Sequence, residues 1–395
     1  MHAATKRGRS VLAALAVVAS LLLLSVAAAT ASLGQLPVYE GNSGFLRTCT
    51  FAPPGKVWGC YVRRLLAKID RSHDPADELP RIDRRAHHVG GYIETSCHMM
   101  MHQVGRMYGR EHHVTLESLQ RYLPRSNDPG CSAGFGMGLV MYLAPQIYDL
   151  NPTAVVRMCF RLPTRFRSYT CIHSLGHAYM RMVHDQLRYG VRACEALPDG
   201  QAPDCAQGAF HDYWLSLSGS DGTHRNRAAS RSARVVCGRQ KPVFVRPCWY
   251  RYFLTLPPKN SPTHAHGLLR LCRGLDGLQR SGCIAAASLI VSAVPSLQVQ
   301  ICRGLTATDT LSCLRGVQVQ FLIGQPKRQL ALVRMCGRMK ARAHAGCYQW
   351  FGKTLAVVTN GAFRVEGCSQ LASRSGRADC IAGARTLNHA LGTFS

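Results

Sequence analysis

The sequence predicts an all-α protein, an α-solenoid of about ten two-helix repeats of about 35 residues each, stapled by disulfides within the helical hairpins. Three observations carry this prediction. The chain of 395 residues contains 18 cysteines, an even number. Most of these cysteines form pairs at a nearly fixed spacing, and apolar residues recur at helical spacing after the second cysteine of each pair.

The composition excludes two broad classes of protein. Hydrophobic residues make up 47% of the chain and charged residues 17%, and the charged fraction lies below the ~25% of an average soluble protein. Such a chain can bury a large core, which excludes intrinsic disorder over most of its length. The cysteine content excludes an ordinary cytosolic protein, because thiols are kept reduced in the cytosol. We therefore expect an oxidising compartment.

Residues 1–31 have the pattern of a secretory signal peptide. Basic side chains at positions 6, 7 and 9 precede an apolar run, and Ala29, Thr30 and Ala31 supply small residues where cleavage is expected. The apolar run of about 20 residues is also long enough to remain as a membrane anchor. We expect cleavage and export to the periplasm, the cell envelope or the extracellular space. Membrane contact is expected only through this segment, if it is retained.

The cysteine positions define the repeat. Eight pairs are 11 or 12 residues apart, and two cysteines, Cys97 and Cys131, lack such a partner. Both open an apolar run, as the second cysteine of each pair does. Successive cysteines of this second type are 30 to 43 residues apart, a period that is typical of stacked helix pairs. The predicted disulfide cysteines are Cys49, Cys60, Cys97, Cys131, Cys159, Cys171, Cys194, Cys205, Cys237, Cys248, Cys272, Cys283, Cys302, Cys313, Cys336, Cys347, Cys368 and Cys380.

Each repeat is predicted as helix A with a cysteine in its last turn, a short polar loop, and helix B with a cysteine in its first turn. A disulfide that closes about a dozen residues stabilises the fold by roughly 2–4 kcal/mol. Sequence alone leaves the connectivity open. The simplest scheme pairs cysteines within each hairpin and joins Cys97 to Cys131, which leaves no free thiol. Glycines three places after a second cysteine should let neighbouring helices approach closely, and these are Gly134, Gly208, Gly316 and Gly383.

The beginning of helix B follows a Cys-x-x-Gly pattern at Cys131 and again at Cys205. With one cysteine per helix and a period of about 35 residues, this pattern resembles the disulfide-stapled Sel1-like and TPR-like α/α repeats of bacterial cysteine-rich secreted proteins. The gap between paired cysteines is longer here than in those repeats. The resemblance implies the α/α-solenoid fold and no particular activity.

Composition also divides the chain into regions. After residues 1–31 we expect an N-terminal segment with the first repeat over 32–95, and histidine- and methionine-rich repeats over 96–214. A Ser/Gly/Arg-rich stretch over 215–234 indicates a surface insertion, and plainer repeats follow over 235–395. Ten of the 17 histidines lie between positions 87 and 211. The histidine-rich region is therefore where we expect a functional site.

Histidines four residues apart occur in two predicted B helices, as His98 with His102 and as His173 with His177. Residues at this spacing share one face of a helix, so each pair can bind a metal ion, as in H-x-x-x-H sites. His211 follows its cysteine by six residues, as His177 does. We therefore predict that His173, His177 and His211 converge. Because packed helices lie ~8–10 Å apart, a shared site requires imidazoles of His177 and His211 within about 8 Å.

The predicted metal is zinc or copper. Three histidines with an open position are typical of catalytic zinc sites, and histidine beside methionine also suits copper. Asp212, Glu195 and Asp185 are candidate acceptors for the outer ring nitrogens. Whether His98 and His102 join the same site stays open, because an intervening repeat without histidine separates the two pairs. Isolated histidines and methionine runs are more often structural, but two pairs and a third histidine in matching register favour a metal site.

Function is predicted less sharply than fold. The chain lacks G-x-S-x-G, P-loop and dinucleotide-binding patterns. The net charge of +27 favours an anionic envelope surface or a protein partner, and nucleic acid is disfavoured because no recognition motif occurs. The leading hypothesis is an exported binding scaffold with a histidine-based metal site. The alternatives are a metal-dependent oxidoreductase or hydrolase that uses the same histidines, and a purely structural interaction module.

Overall fold

The regular secondary structure is entirely α-helical in the part of the chain that the computed structural model describes, which confirms the predicted fold class. The described residues are 49, 56–72, 74–125, 128, 130–162, 165–198, 200–218, 232–255, 262–290, 301–302, 305–316, 336–337, 341–358, 366–369 and 371–385. The predicted signal peptide and most of the 215–234 stretch lie outside them. Within the described ranges, no helix has both the length and the hydropathy needed to cross a bilayer.

Eighteen helices occur in these ranges. In chain order they are α1 (Val57–Asp70), α2 (Pro75–Val89), α3 (Gly91–Glu111), α4 (Leu119–Tyr122), α5 (Cys131–Tyr142), α6 (Ala144–Tyr148), α7 (Pro152–Phe160), α8 (Arg165–Met182), α9 (Leu187–Glu195), α10 (Ala202–Ser218), α11 (Ala233–Gly238), α12 (Pro242–Thr255), α13 (Pro262–Arg273), α14 (Gly277–Ile290), α15 (Ala307–Arg315), α16 (Ala341–Val358), α17 (Glu366–Ser369) and α18 (Arg374–Arg385).

Ten B helices form one continuous row in which each helix packs against the next, and they are α1, α3, α5, α8, α10, α12, α14, α15, α16 and α18. The shorter helices α7, α9, α11, α13 and α17 pack against this row as a second layer. The row curls back on itself, because α16 also contacts α8 and Ala384 of α18 is buried with Ala133 and Phe166. The main core lies between the two layers and includes fully buried Phe135 and Phe210.

Nine disulfides staple the array, and no cysteine is free. Their pairing follows the predicted scheme: Cys49–Cys60, Cys97–Cys131, Cys159–Cys171, Cys194–Cys205, Cys237–Cys248, Cys272–Cys283, Cys302–Cys313, Cys336–Cys347 and Cys368–Cys380. Cys97–Cys131 is the exception in geometry as in spacing, because it joins two B helices, α3 and α5, directly. This bridge therefore fixes α3, which carries His98 and His102, against α5.

Most second cysteines lie deeper in their helices than predicted, although Cys131 is the first residue of its helix. Cys171, Cys248 and Cys283 are each the seventh residue of the helix rather than part of its first turn. The reason is that helix B begins within the stretch predicted as loop. In α12, for example, Pro242 occupies the first helical position, where its missing N–H leaves no hydrogen bond unmade. The connection between paired helices is correspondingly short.

Glycines set the spacing of neighbouring B helices, as predicted. A Cβ atom on Gly134 would overlap the carbonyl oxygen of His98, and one on Gly208 would overlap the carbonyl oxygen of His173. The two backbones are therefore in direct contact at these points. Because each contact involves the backbone of a candidate ligand, the glycines determine how close the next helix comes to that histidine.

Candidate metal centre

Three histidines of α8 and α10 form a compact group. His173 and His177 lie one turn apart on α8, and the ring of His211 on α10 faces both, with centroid separations of 5.9 Å and 5.2 Å respectively. One nitrogen atom from each ring lies within 4.8 Å of the others, so the group could hold a metal ion. The separation of His177 and His211 is well inside the limit of about 8 Å that a shared site requires.

The spacing of the ring nitrogens on α8 suits a tetrahedral metal site. Zinc–imidazole bonds of 2.0–2.1 Å place two nitrogen ligands about 3.3–3.4 Å apart. The Nε2 atoms of His173 and His177 are 3.3 Å apart. A ring nitrogen of His211 lies within 4.8 Å of the nitrogens of this pair. The α8 pair is thus already at ligand spacing, and the third ligand is adjacent.

Asp212 fixes the tautomer of His177. Nδ1 of His177, which is fully buried, donates to Oδ1 of Asp212 at 3.1 Å. Because a carboxylate oxygen only accepts, Nδ1 carries the proton and Nε2 presents its lone pair in the neutral ring. Metal-binding histidines commonly have such a carboxylate partner. The other two predicted acceptors are placed differently, since Glu195 pairs with Lys241 and Asp185 lines a neighbouring cavity.

Arg251 of α12 fixes the role of His173. One terminal nitrogen of its guanidinium lies 3.4 Å from Nε2 of His173 and 2.8 Å from Oε1 of Gln207. The hydroxyl of Tyr169 donates to the same amide oxygen at 3.1 Å. A guanidinium only donates, so Nε2 of His173 accepts and is unprotonated. An imidazole nitrogen has a single lone pair, so a metal ion bound by Nε2 of His173 would replace this contact with Arg251.

The structure joins the first histidine pair to this group. Nε2 of His102 lies 3.1 Å from Nε2 of His98, and the rings of His102 and His177 are 5.2 Å apart between centroids. Nδ1 of His98 donates to the carbonyl oxygen of Gly130 at 3.2 Å and leaves its Nε2 to accept. A proton on Nε2 of His102 then completes a hydrogen bond to Nε2 of His98. Five histidines thus form one continuous cluster of rings, and within the described residues His173, His177 and His211 are the group whose ligand atoms lie close enough to share a metal ion.

The helix between the two pairs explains why they meet. Both α3 and α8 pack against α5, and α5 presents glycines to α3. A Cβ atom on Gly138 would overlap the carbonyl oxygen of His102, as one on Gly134 would for His98. With no bulky side chain holding α3 away, His102 and His177 meet although their helices are not adjacent in the row.

Burial keeps much of the cluster neutral. Burial is the largest cause that lowers the pKa of His102, His173 and His211 well below the usual range. Proximity to His98 adds to this for His102, and proximity to Arg251 adds to it for His173 and His211. Neutral imidazole is the form that binds metal. Protons therefore compete weakly for these lone pairs at neutral pH.

A cavity of about 400 Å³ opens beside the cluster. Its walls include His102 and Asp212 from the site, together with Gln103, Arg106 and Arg181. The sequence prediction missed the last three. The sequence signal for Arg106 and Arg181 is their spacing, because each follows a histidine of the cluster by four residues and so shares its helix face.

The fold and this site define a disulfide-rich protein of helical repeats with a histidine group that could hold a metal ion. The nine disulfides indicate an oxidising, extracytoplasmic environment. Comparisons with protein-family models, curated proteins and solved structures found no match to the chain. The resemblance to Sel1-like and TPR-like repeats therefore rests on cysteine spacing and helical packing alone.

Proposed function

We propose that the chain is an exported binding scaffold that holds one zinc or copper ion through His173, His177 and His211. His98 and His102 extend this site on the side of α3. The observation that carries the proposal is the group of three ring nitrogens, one each from His173, His177 and His211, within 4.8 Å of one another. Asp212 accepts from Nδ1 of His177 and so leaves Nε2 of that ring for a metal ion.

The types of ligand at the site decide whether zinc or copper is favoured. Imidazole nitrogen suits both zinc and copper. Met99 and Met141 also line the cavity beside His102, and thioether sulfur selects copper(I) over zinc. Both ions therefore have to be tested on the same protein.

A metal-dependent enzyme, an oxidoreductase or a hydrolase, is the second candidate function. The observation that favours it is the cavity of about 400 Å³ that reaches His102 and Asp212, since small-molecule sites have this size. In this function the histidines would hold the ion. Asp212 orients the ring of His177 by accepting the hydrogen bond from Nδ1 of that ring. The bound ion would supply Lewis-acid or redox chemistry. The partner surface stays an anionic cell envelope or protein, favoured by the charge of +27.

Metal analysis tests the proposal. The full chain, purified from an oxidising compartment, is dialysed separately against Zn²⁺ and Cu²⁺ and then assayed for bound metal. We expect about one tightly bound ion per chain, and its loss in His173→Ala/His177→Ala, because removing two ligands leaves no chelate. The matched control is His112→Ala/His113→Ala, which removes two exposed histidines outside the cluster.

Two results would overturn the proposal. One is less than about 0.2 ion per chain in the natural sequence, the occupancy of adventitious binding. The other is an unchanged metal content in His173→Ala/His177→Ala. The first result leaves the purely structural module as the function, and the second places the metal on other residues. If metal binds, turnover of redox and hydrolysis substrates separates an enzyme from a scaffold.

A further inference from the structure

The stretch from position 222 to position 275 is basic and contains no carboxylate. It holds 11 lysines and arginines, whereas the whole chain has 21 carboxylates for its 48 basic residues. Its described part forms α11, α12 and α13 together with the connections beside them. The stretch therefore adds only positive charge to the protein surface.

The connections between paired helices lie along one edge of the row. Ser281 of α14 and Ser312 of α15, which come just before the second cysteines of their helices, share a hydrogen bond of 2.9 Å. The second cysteines of neighbouring B helices are therefore level, and each is bridged to the A helix before it. Lys241, between α11 and α12, pairs with Glu195 at the end of α9, so successive connections also meet. We call the part of this edge formed by α11, α13 and the connections that follow them the disulfide edge, and it comprises 234–243 and 270–276.

The disulfide edge exposes apolar side chains. Leu271 and Val243 are 59% and 50% exposed, the highest fractions among the large apolar side chains of the described residues. Leu271 directly precedes buried Cys272, and Val235, which is 39% exposed, lies two residues before buried Cys237. Successive helix residues are about 100° apart around the axis, so one or two residues from a buried cysteine the helix faces away from the core. The bridges therefore hold these apolar side chains towards solvent.

Exposed arginines adjoin these apolar side chains. Four arginines of the disulfide edge are exposed, and they are Arg234, Arg239, Arg270 and Arg273. Within the described part of this edge, Asp276 is the one exposed carboxylate. The helix dipole stabilises a cation at the end of α11 or α13, which explains the positions of three of these arginines. It does not explain Arg234, in the first turn of α11, or the exposed apolar side chains beside the arginines. The two types of side chain together indicate a partner that contacts both.

We propose that the disulfide edge docks on the surface of an anionic lipid bilayer. Leu271 and Val243 enter the boundary between headgroups and acyl chains, while the arginines contact the lipid phosphates. Amphipathic surfaces rich in arginine bind membranes in this way, and each basic side chain adds attraction to an anionic membrane. A soluble polyanion satisfies the arginines but leaves the apolar side chains in water. This peripheral contact is separate from residues 1–31, where the sequence predicts any membrane contact, and it does not depend on the metal site.

Flotation with lipid vesicles tests this proposal on the full chain, purified after export. Vesicles of phosphatidylglycerol and phosphatidylcholine in about equal amounts supply the anionic surface, and phosphatidylcholine vesicles are the neutral reference. We expect Arg270→Gln/Arg273→Gln to lower the partition coefficient on anionic vesicles about 25-fold, which is about fivefold for each arginine. The matched control is Arg84→Gln/Arg188→Gln, which removes the same charge from exposed positions on α2 and at the start of α9.

A second variant tests the insertion of apolar side chains. We expect Val243→Ser/Leu271→Ser to lower the same partition coefficient at least about tenfold, because these side chains then gain little from leaving water. Tyr148→Ser/Leu150→Ser is the matched control, since it removes two exposed apolar side chains that lie outside the disulfide edge.

Three results would overturn the docking proposal. The first is a natural chain that binds anionic vesicles no better than neutral ones. The second is equal binding by the edge variants and their controls, because net charge or residues 1–31 then hold the chain on the vesicle. The third is a loss in the arginine variant alone, which identifies the partner as a polyanion in solution. None of these results depends on zinc content, so they leave the proposed metal site untouched.

Discussion

The N-terminal and C-terminal halves of the row use the same backbone contact for different chemistry. In α8, the carbonyl of His173, two residues after its cysteine, meets Gly208 of the next B helix. In the C-terminal half, the carbonyl of Gln349, at the same register, meets Gly383. Cysteines and glycines therefore set the helix spacing in both halves. The side chains at this register are free to differ, and they decide which half could hold a metal ion.

The difference is one of charge as well as of ligand type. Six residues after the cysteine, α8 carries His177 and α16 carries Lys353. Burial lowers the pKa of Lys353, and burial lowers the pKa of Arg315 on α15 to about 10. The N-terminal half thus places imidazoles where the C-terminal half places a lysine and an arginine. Imidazole nitrogen can bind a metal ion, whereas protonated lysine and arginine offer no lone pair.

The largest loss of stability is expected from removing one disulfide in each half. Cys97→Ser/Cys131→Ser opens a loop of 34 residues and should cost about 4 kcal/mol of unfolding free energy by the chain-entropy model. Cys272→Ser/Cys283→Ser opens a loop of 11 residues and should cost about 3 kcal/mol. Guanidinium unfolding measures both. We expect metal affinity to fall in the first variant only, because Cys97 adjoins His98. Equal metal affinities in the two variants would count against the role of this bridge.

The next effect concerns a carboxylate in each half. Asp212→Asn should weaken zinc binding about 10–100-fold, because the amide no longer fixes the proton on Nδ1 of His177. Asp309, in the C-terminal half, instead accepts from Arg280 at 2.7 Å. Asp309→Asn should leave zinc affinity unchanged while it lowers the thermal midpoint. Competition with a chromogenic chelator measures the affinities, and similar losses in both variants would remove the distinction between the halves.

Gly208 tests whether the helix contact positions the ligands. Gly208→Ala places a Cβ against the carbonyl of His173, and overpacking of this kind costs about 1–3 kcal/mol. The variant should lose thermal stability and zinc affinity together, because α8 and α10 must separate. Gly238→Ala is the control, since a Cβ at that position meets nothing within 4 Å. If zinc affinity were retained in a destabilised Gly208→Ala, the contact would be structural only.

The smallest effect, a few degrees in the thermal midpoint, is expected from pH. Burial and then Asp128 raise the pKa of Asp83 to about 7, so the native state holds this proton more tightly than the unfolded state does. Its contribution to stability therefore grows as pH falls from 7 towards 4. The hydrogen bond from Arg280 lowers the pKa of Asp309, so its contribution is lost on acidification. Asp83→Asn should steepen the acid loss of stability and Asp309→Asn should reduce it; the same slope in both would contradict these assignments.

The fold was predictable because disulfide chemistry leaves its spacing in the sequence. The bridges within the hairpins close 11 or 12 residues, and a stacked repeat makes that spacing recur along the chain. The position of each cysteine within its helix was not predictable. Helix ends depend on capping and on residues such as Pro242 at the first position, which sequence patterns place only to within a few residues.

The site was predictable only where the histidines occupy equivalent positions, counted from the cysteine, on neighbouring helices. His177 and His211 each follow their cysteine by six residues, so equivalent positions on adjacent helices meet, and His173 lies one turn before His177. His98 and His102 follow Cys97 by one and five residues, one residue less than the spacings of His173 and His177 from their cysteine. Their helix, α3, is joined to α5 by the Cys97–Cys131 bridge. Their approach depends on the packing of α3 and α8 around α5, a tertiary contact that no local pattern contains.

X-ray absorption spectroscopy of the zinc-loaded full chain tests the central claim most directly. The account predicts a four-coordinate ion with at least three imidazole nitrogens at about 2.0–2.1 Å. It also predicts loss of the imidazole scattering in His173→Ala/His177→Ala, with the spectrum of His112→Ala/His113→Ala unchanged. A zinc ion surrounded by oxygen ligands alone, or the same imidazole scattering after both α8 histidines are removed, would contradict a metal site built on His173, His177 and His211.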